Sequence, residues 1–209
     1  MRRFASTKSA LVITSLLVAM VAPAWADAIP YPNSGTIPPT NIFTASVTGT
    51  VDAFYYGSTA GDNDTVELKD LTLGTSTGQI FDDKSTTPGT GPVLLTVNAG
   101  DVLEFLLHDL SSGATFSSIS ADSDDSVNHA YATPYSADSS QPDFIPGIPA
   151  GTFIGMEDEP ASFSDFNYND DTFVVTNVAS ATTSTPEPFS FLLMGTGLAA
   201  VGLLRRRRV

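Results

Sequence analysis

Residues 92–108 read PVLLTVNAGDVLEFLLH: two apolar runs, Pro92 to Asn98 and Val102 to His108, parted by Ala99-Gly100-Asp101. Runs of this length and composition bounded by a turn signal read as strands, and this pair is expected to form a β-hairpin. The same grammar extends outward. Upstream, Phe43 to Tyr56 is rich in Thr, Val and aromatics, and Thr65 to Leu73 alternates polar and apolar through Val66, Leu68 and Leu71 or Leu73. Downstream come Thr115 to Ser120, Ala130 to Tyr135, Thr152 to Met156 and Thr172 to Val178. Clusters of Gly, Pro, Ser and Asp punctuate about eight short strands. No segment of this body keeps a helical apolar period over about ten residues. Residues 42–178 are expected to fold as an all-β domain, an antiparallel β-sandwich of jelly-roll type. Residues 27–41, with Pro30, Pro32, Pro38 and Pro39, read as an extended leading arm, and 179–188 as a small-residue linker.

Both flanks of the body are hydrophobic segments with basic neighbours. Met1 to Ala26 starts with Arg2, Arg3 and Lys8, continues through the apolar run Ala10 to Ala22 and ends in Ala24-Trp25-Ala26. That is the pattern of a secretory signal peptide, with cleavage at Ala24 and Ala26 expected before Asp27; an uncleaved anchor is the alternative. At the other end Pro186-Glu187-Pro188 precedes sixteen uncharged residues, Phe189 to Leu204, then Arg205, Arg206, Arg207, Arg208 and Val209. Each arginine costs about 2.5–3.5 kcal/mol at mid-bilayer, so the four stay on the cytoplasmic side. The body before them is then expected on the far side of the membrane.

Pro-Glu-Pro, a short apolar segment with Gly195, Gly197 and Gly202, and a closing arginine cluster resemble the PEP-CTERM sorting signal of Gram-negative bacteria over residues 186–209. The resemblance implies an exosortase-type processing enzyme as partner and an extracellular polysaccharide or biofilm setting. It also implies transient residence in the inner membrane before release to the cell surface or matrix. A helix of sixteen residues spans about 24 Å, short of a hydrocarbon core of about 30 Å, which suits a transient signal. A plain C-terminal anchor is the alternative and leaves the topology unchanged.

Charge is distributed with equal asymmetry. The chain has 23 acids and 9 bases, a formal charge of −14. Without its two flanks, residues 27–185 hold 22 acids against Lys69 and Lys84, a charge of −20. Self-repulsion on this scale opposes compaction unless counter-ions bind. It disfavours nucleic acid, which needs a basic footprint, and anionic lipid headgroups; divalent cations are the natural partners. There is no cysteine, so disulfides, thiolate metal sites and thiol nucleophiles are all excluded.

The densest set of chemistry-bearing residues is Gly155-Met156-Glu157-Asp158 followed by Asp165-Phe166-Asn167-Tyr168-Asn169-Asp170-Asp171. Oxygen side chains two residues apart in a loop converge on one hard cation, and calcium takes six to eight oxygens at about 2.3–2.6 Å. Asp165, Asn167, Asn169 and Asp170 are the candidate ligands, with Glu157 and Asp158 closing the shell from the preceding strand end. Asx turns shaping a long loop are the alternative. Together with Asn128-His129-Ala130, these segments resemble a bacterial exported domain of unknown function over residues 92–178. Its pattern is an Asn-Asp-Gly-x-x-His-Ala-like segment, a Gly-x-Glu-Asp turn and an Asp-x-Asp-Tyr-Asn-Asp run before the last strand. This chain departs from it at Asn167, where the pattern has an acid, and in lacking glycine between Asp158 and Asp165. Asp62-Asn63-Asp64 reads as a hairpin turn. Asp122, Asp124 and Asp125 read as a solvated loop, with a second metal site as the alternative.

No catalytic residue is assigned, and the chain is not expected to be an enzyme. Of two histidines, His108 ends a strand beside Asp109 and His129 follows Asn128; neither accompanies a Gly-x-Ser-x-Gly elbow. Tyr55, Tyr56, Tyr131 and Tyr135 offer sugar-stacking faces if exposed, and core packing if not. The composition and motifs favour an exported, surface- or matrix-associated structural or interaction protein stabilised by calcium. A carbohydrate-binding module or adhesin, and a secreted hydrolase, are the other classes.

Overall fold

A computed structural model describes residues 42–181. The signal peptide of residues 1–26 with Ala24 and Ala26, the arm of 27–41, Pro186, Glu187, Pro188, the apolar segment 189–204 and Arg205 to Arg208 lie outside the described residues. Among the described residues no helix is long and apolar enough to cross a membrane.

The body is all-β, as its composition predicts. Its strands are β1 (Ile42–Ala45), β2 (Gly49–Gly57), β3 (Asp64–Asp70), β4 (Thr75–Ile80), β5 (Val93–Val97), β6 (Val102–Asp109), β7 (Thr115–Ser117), β8 (Ala130–Tyr135), β9 (Gly151–Met156), β10 (Asp171–Val175) and β11 (Val178–Ala181). One sheet has the order β11-β1-β6-β3-β4, with β7 also on β6; the other runs β5-β2-β10-β9-β8. The ladders within both sheets are antiparallel.

Alternation explains the core between the sheets. Val66 and Leu68 of β3 and Leu103, Phe105 and Leu107 of β6 point one way. They meet Val51, Ala53 and Tyr55 of β2 and Phe173 and Val175 of β10 from the opposite sheet. Phe105 contacts both Phe43 and Phe173 edge-on, with ring centroids 4.8 and 5.6 Å apart. The second sheet is covered on its outer face too. Ile148 and Ile145 pack there on Phe54, Phe153, Val174 and Tyr135. Burial on both faces is why Phe173-Val174-Val175 is continuously apolar rather than alternating.

Four sequence expectations need correction. The Asn98–Asp101 turn exists, closed by Asp101 N–H to Asn98 O at 3.0 Å, but β5 and β6 do not pair. Val97 pairs with Gly49 in one sheet and Leu103 with Phe43 in the other, so the turn is a corner between sheets. Phe43 to Tyr56 is likewise two strands, because the chain changes sheets at Ser46–Thr48. Thr172 to Val178 breaks at Asn177, and residues 179–181, expected in the linker, extend β11. Asn177 staples these corners: its Oδ1 accepts the Val47 N–H and its Nδ2 donates to the Val47 and Thr50 carbonyls. Finally, Asp62-Asn63-Asp64 is no hairpin turn, since β2 and β3 lie in different sheets and Asp64 opens β3.

Candidate metal centre

Opposite the corners, one end of the molecule gathers carboxyl groups. The end of β9 and the start of β10 are neighbours, with Asp171 facing Met156 in the ladder. Glu157 and Asp158 therefore leave the sheet beside Asp170. The connecting loop is fastened at both ends. Asp158 N–H donates to Asp170 Oδ2 at 3.0 Å, and Tyr168 N–H donates to Glu157 Oε2 at 3.2 Å. Inside the loop, Asp165 Oδ1 accepts the Asn167 N–H and Asn167 Oδ1 the Asn169 N–H. Between these turns Phe166 and Tyr168 adopt left-handed backbones, φ 53° and 52°. The fully buried Tyr168 presses its carbonyl onto Gly155, where a Cβ would lie 2.3 Å from that oxygen. The glycine of the Gly-x-Glu-Asp segment is needed for this close approach.

Glu157, Asp158 and Asp170 each present an oxygen within 4.8 Å of the other two. Opposed ligands on one calcium ion at about 2.3–2.6 Å are about 4.6–5.2 Å apart, so one ion fits this spacing. The three line a cleft of about 200 Å³ with Asp62, Glu159 and Asp165. Burial raises the carboxyl pKa values: Asp158, also beside Asp170, is pushed up to about 7, and Asp170, also beside Glu157, to about 7. Glu157 is raised too, chiefly by burial. Carboxyls crowded in this way need protons or a cation to relieve them.

Of the candidate ligands read from the sequence, Glu157, Asp158, Asp170 and Asp165 share this cleft. Asn167 and Asn169 do not line it. Their polar groups are used otherwise: Asn167 Nδ2 donates to Asp165 Oδ2 at 2.8 Å within the loop, and the Asn169 backbone carbonyl accepts the Thr59 N–H, beyond the end of β2. Part of the motif is thus turn chemistry and part is the cluster.

Two further acids join from places the motif does not reach. Asp64 and Asp171 are both fully buried, and none of their carboxyl oxygens has a hydrogen-bond partner. Other buried aspartates differ. Asp70 caps a turn by accepting the Thr72 and Leu73 N–H groups, Asp109 accepts those of Ser111 and Ser112, and Asp101 accepts that of Asn98. Asp64 has no such donor, and the acids that bear on it are Asp158 and Asp83. Burial first, then the Asp158 and Asp83 charges, pushes it up to about 8. Burial and the Asp83 and Asp64 charges raise Asp171 well above the carboxylate range. Asp83 itself is satisfied, accepting the Asp64 N–H, the Ser58 hydroxyl and the Lys84 ammonium at 2.8–3.0 Å. A legible signal did exist for Asp64: it is in phase with the core-facing Val66 and Leu68.

Both histidines are tied into structure. His129 stacks on Phe116 at 4.4 Å. Its Nε2 meets both Asp125 oxygens at 3.0–3.1 Å, and its Nδ1 meets the Glu157 carbonyl at 3.2 Å. His108 bridges neighbouring strands, with Nε2 2.9 Å from Glu67 Oε2 and Nδ1 3.3 Å from Thr115 Oγ1. Asp125, expected in a solvated loop, also accepts the Ala161 N–H. Tyr55 and Tyr135 are core residues, and Tyr56 packs edge-on against Tyr135 and Phe153, so these three rings serve packing. The chain matches no family model, no curated protein and no solved structure.

Proposed function

We propose that this chain is an exported, calcium-stabilised structural or interaction protein of the cell surface or extracellular matrix of a Gram-negative bacterium, built on a jelly-roll sandwich. One observation carries the calcium part: Glu157, Asp158 and Asp170 converge within 4.8 Å, while the nearby Lys84 is bonded to Asp83. A cluster of this kind is strained when empty and relieved by a hard divalent cation. Outside the cell calcium is available at the millimolar level where extracellular modules bind it.

The bracketing signals supply the address. A leader processed at Ala24 and Ala26 and a PEP-CTERM tail carrying Pro186, Glu187, Pro188 and Arg205 to Arg208 would pass the body across the inner membrane to an exosortase-type enzyme. The setting is exopolysaccharide or biofilm, and the body's acidity supports contact with matrix through bridging cations rather than through a basic patch. No catalytic step is assigned to it.

The test is thermal melting of the full chain in mild detergent, after chelation and then with millimolar calcium. A rise in melting temperature with calcium is expected. Superimposed curves would remove calcium from the reading.

A further inference from the structure

We infer that Asp64 is a ligand of the same cation, so that the ion ties one sheet to the other. This deepens the calcium reading above and rests on it. Glu157, Asp158 and Asp170 all belong to the sheet of β9 and β10, whereas Asp64 opens β3 in the opposite sheet. Its side chain is in phase with Val66 and Leu68, which face the gap between sheets.

Asp64 is fully buried, yet neither carboxyl oxygen receives a hydrogen bond. An unpaired buried carboxyl is among the costlier features a fold can carry. Nothing in β3 calls for it, since Asp70 at the other end of the strand is buried with two N–H donors on its Oδ1. The carboxyl whose charge bears most on it is that of Asp158, a member of the cluster. Asp83 cannot relieve it, because Asp83 is an acid already occupied by Ser58 and Lys84. A cation seated among Glu157, Asp158 and Asp170 can. Asp64 then supplies a fourth protein carboxylate, and Asp165 on the cleft wall with water completes a shell of six to eight oxygens.

A ligand of this type has an unusual double signature. With no metal its charge is a liability; with metal it is a bond. Calcium is titrated calorimetrically into the chelator-treated full chain in mild detergent, comparing wild type, Asp64→Asn and Asp170→Asn. Asp64→Asn is expected to weaken binding tenfold or more and to raise the melting temperature of the metal-free protein; Asp170→Asn is expected to abolish binding. Wild-type affinity in Asp64→Asn overturns the inference and leaves the calcium reading intact. No binding by wild type removes both. Hydrogen exchange on the wild type gives a readout independent of how the variant folds: calcium is expected to slow the Val66 amide of β3 as well as those near residue 158. Protection confined to the β9–β10 connection would overturn the role of Asp64.

Discussion

The backbone N–H of Asp158 donates to Asp170 Oδ2 at 3.0 Å, so the two ends of the β9–β10 connection are joined by a side chain that also faces the acidic cleft. Loop closure and the placement of these acids are therefore one event. A cation drawn to Asp170 pulls on the same carboxyl that holds Asp158.

Replacing both Asp165 and Asp170 with alanine should abolish the calcium-dependent rise in melting temperature. With calcium tenfold above a dissociation constant of the extracellular kind, the wild type gains about 1.4 kcal/mol. For a domain of this size that is a shift of about 3–6 °C. Differential scanning calorimetry with and without chelator measures it, and a double variant that keeps the full shift would place the ion elsewhere.

The metal-free protein should lose stability as pH rises. Asp64, at about 8, and Asp158 and Asp170, at about 7, have folded pKa values above the unfolded value of about 3.9. Folding takes up protons at these groups, so their contribution is full below about pH 4 and is lost as pH passes through about 7 to 8. Calcium holds the carboxylates ionised and should flatten this decline, so the calcium-induced gain widens with pH. Melting curves at several pH values, with chelator and with calcium, test the sign. A metal-free protein that gains stability across the neutral range would contradict it.

Gly155→Ala should disturb both loop and site. The new Cβ would meet the Tyr168 carbonyl at 2.3 Å, forcing away the segment whose N–H bonds to Glu157. Overpacking of this kind costs about 1–3 kcal/mol. Urea denaturation of the chelated protein should show the loss, and calcium affinity should fall in parallel.

Asp125→Ala should destabilise the loop after the cluster by about 1–3 kcal/mol, since it leaves the buried His129 ring and the Ala161 N–H without their acceptor. Burial alone would raise the Asp125 pKa. The Ala161 and Val127 N–H groups together with His129 outweigh that and hold it below the usual carboxylate range. Its contribution is accordingly present above about pH 4 and lost as pH falls through the folded value. The variant should flatten the acid limb of the stability profile in a pH series of melting curves.

Protein recovered from its host should begin at Asp27 and lack the arginine cluster. Intact-mass measurement of cell-surface and matrix fractions checks both ends. A full-length mass recovered from the soluble interior would contradict export.

Local pattern carried the strands that alternate and the acids that cluster. Ala130 to Tyr135 occupies the predicted boundaries because its neighbours are plain turn formers. Thr75–Ile80 escaped because Thr-Ser-Thr-Gly-Gln-Ile has almost no apolar side chain: it is an edge strand, largely exposed, whose existence depends on pairing with β3. The turn at Gly100 was legible, but its service as a corner was not. The sheet that receives β6 is built from strands distant in sequence: β3 pairs with it from Asp64–Asp109 to Asp70–Leu103, and β1 through Phe43–Leu103. The cluster divides in the same way. Glu157, Asp158 and Asp170 lie within one short stretch, whereas Asp64 sits beside Asp62 and Asn63, where composition signals a turn. Only its strand phase points inward, and the partner it meets comes from the other sheet.

Ile42 and Ala181 face each other in the β1–β11 ladder, so the described residues begin and end about one strand spacing, roughly 5 Å, apart. Anything tethered before the first strand or after the last hangs from a common point. The same proximity makes the unit a candidate for circular permutation: joining residue 181 to residue 42 with a short link and opening the chain at an exposed loop tip should preserve the fold.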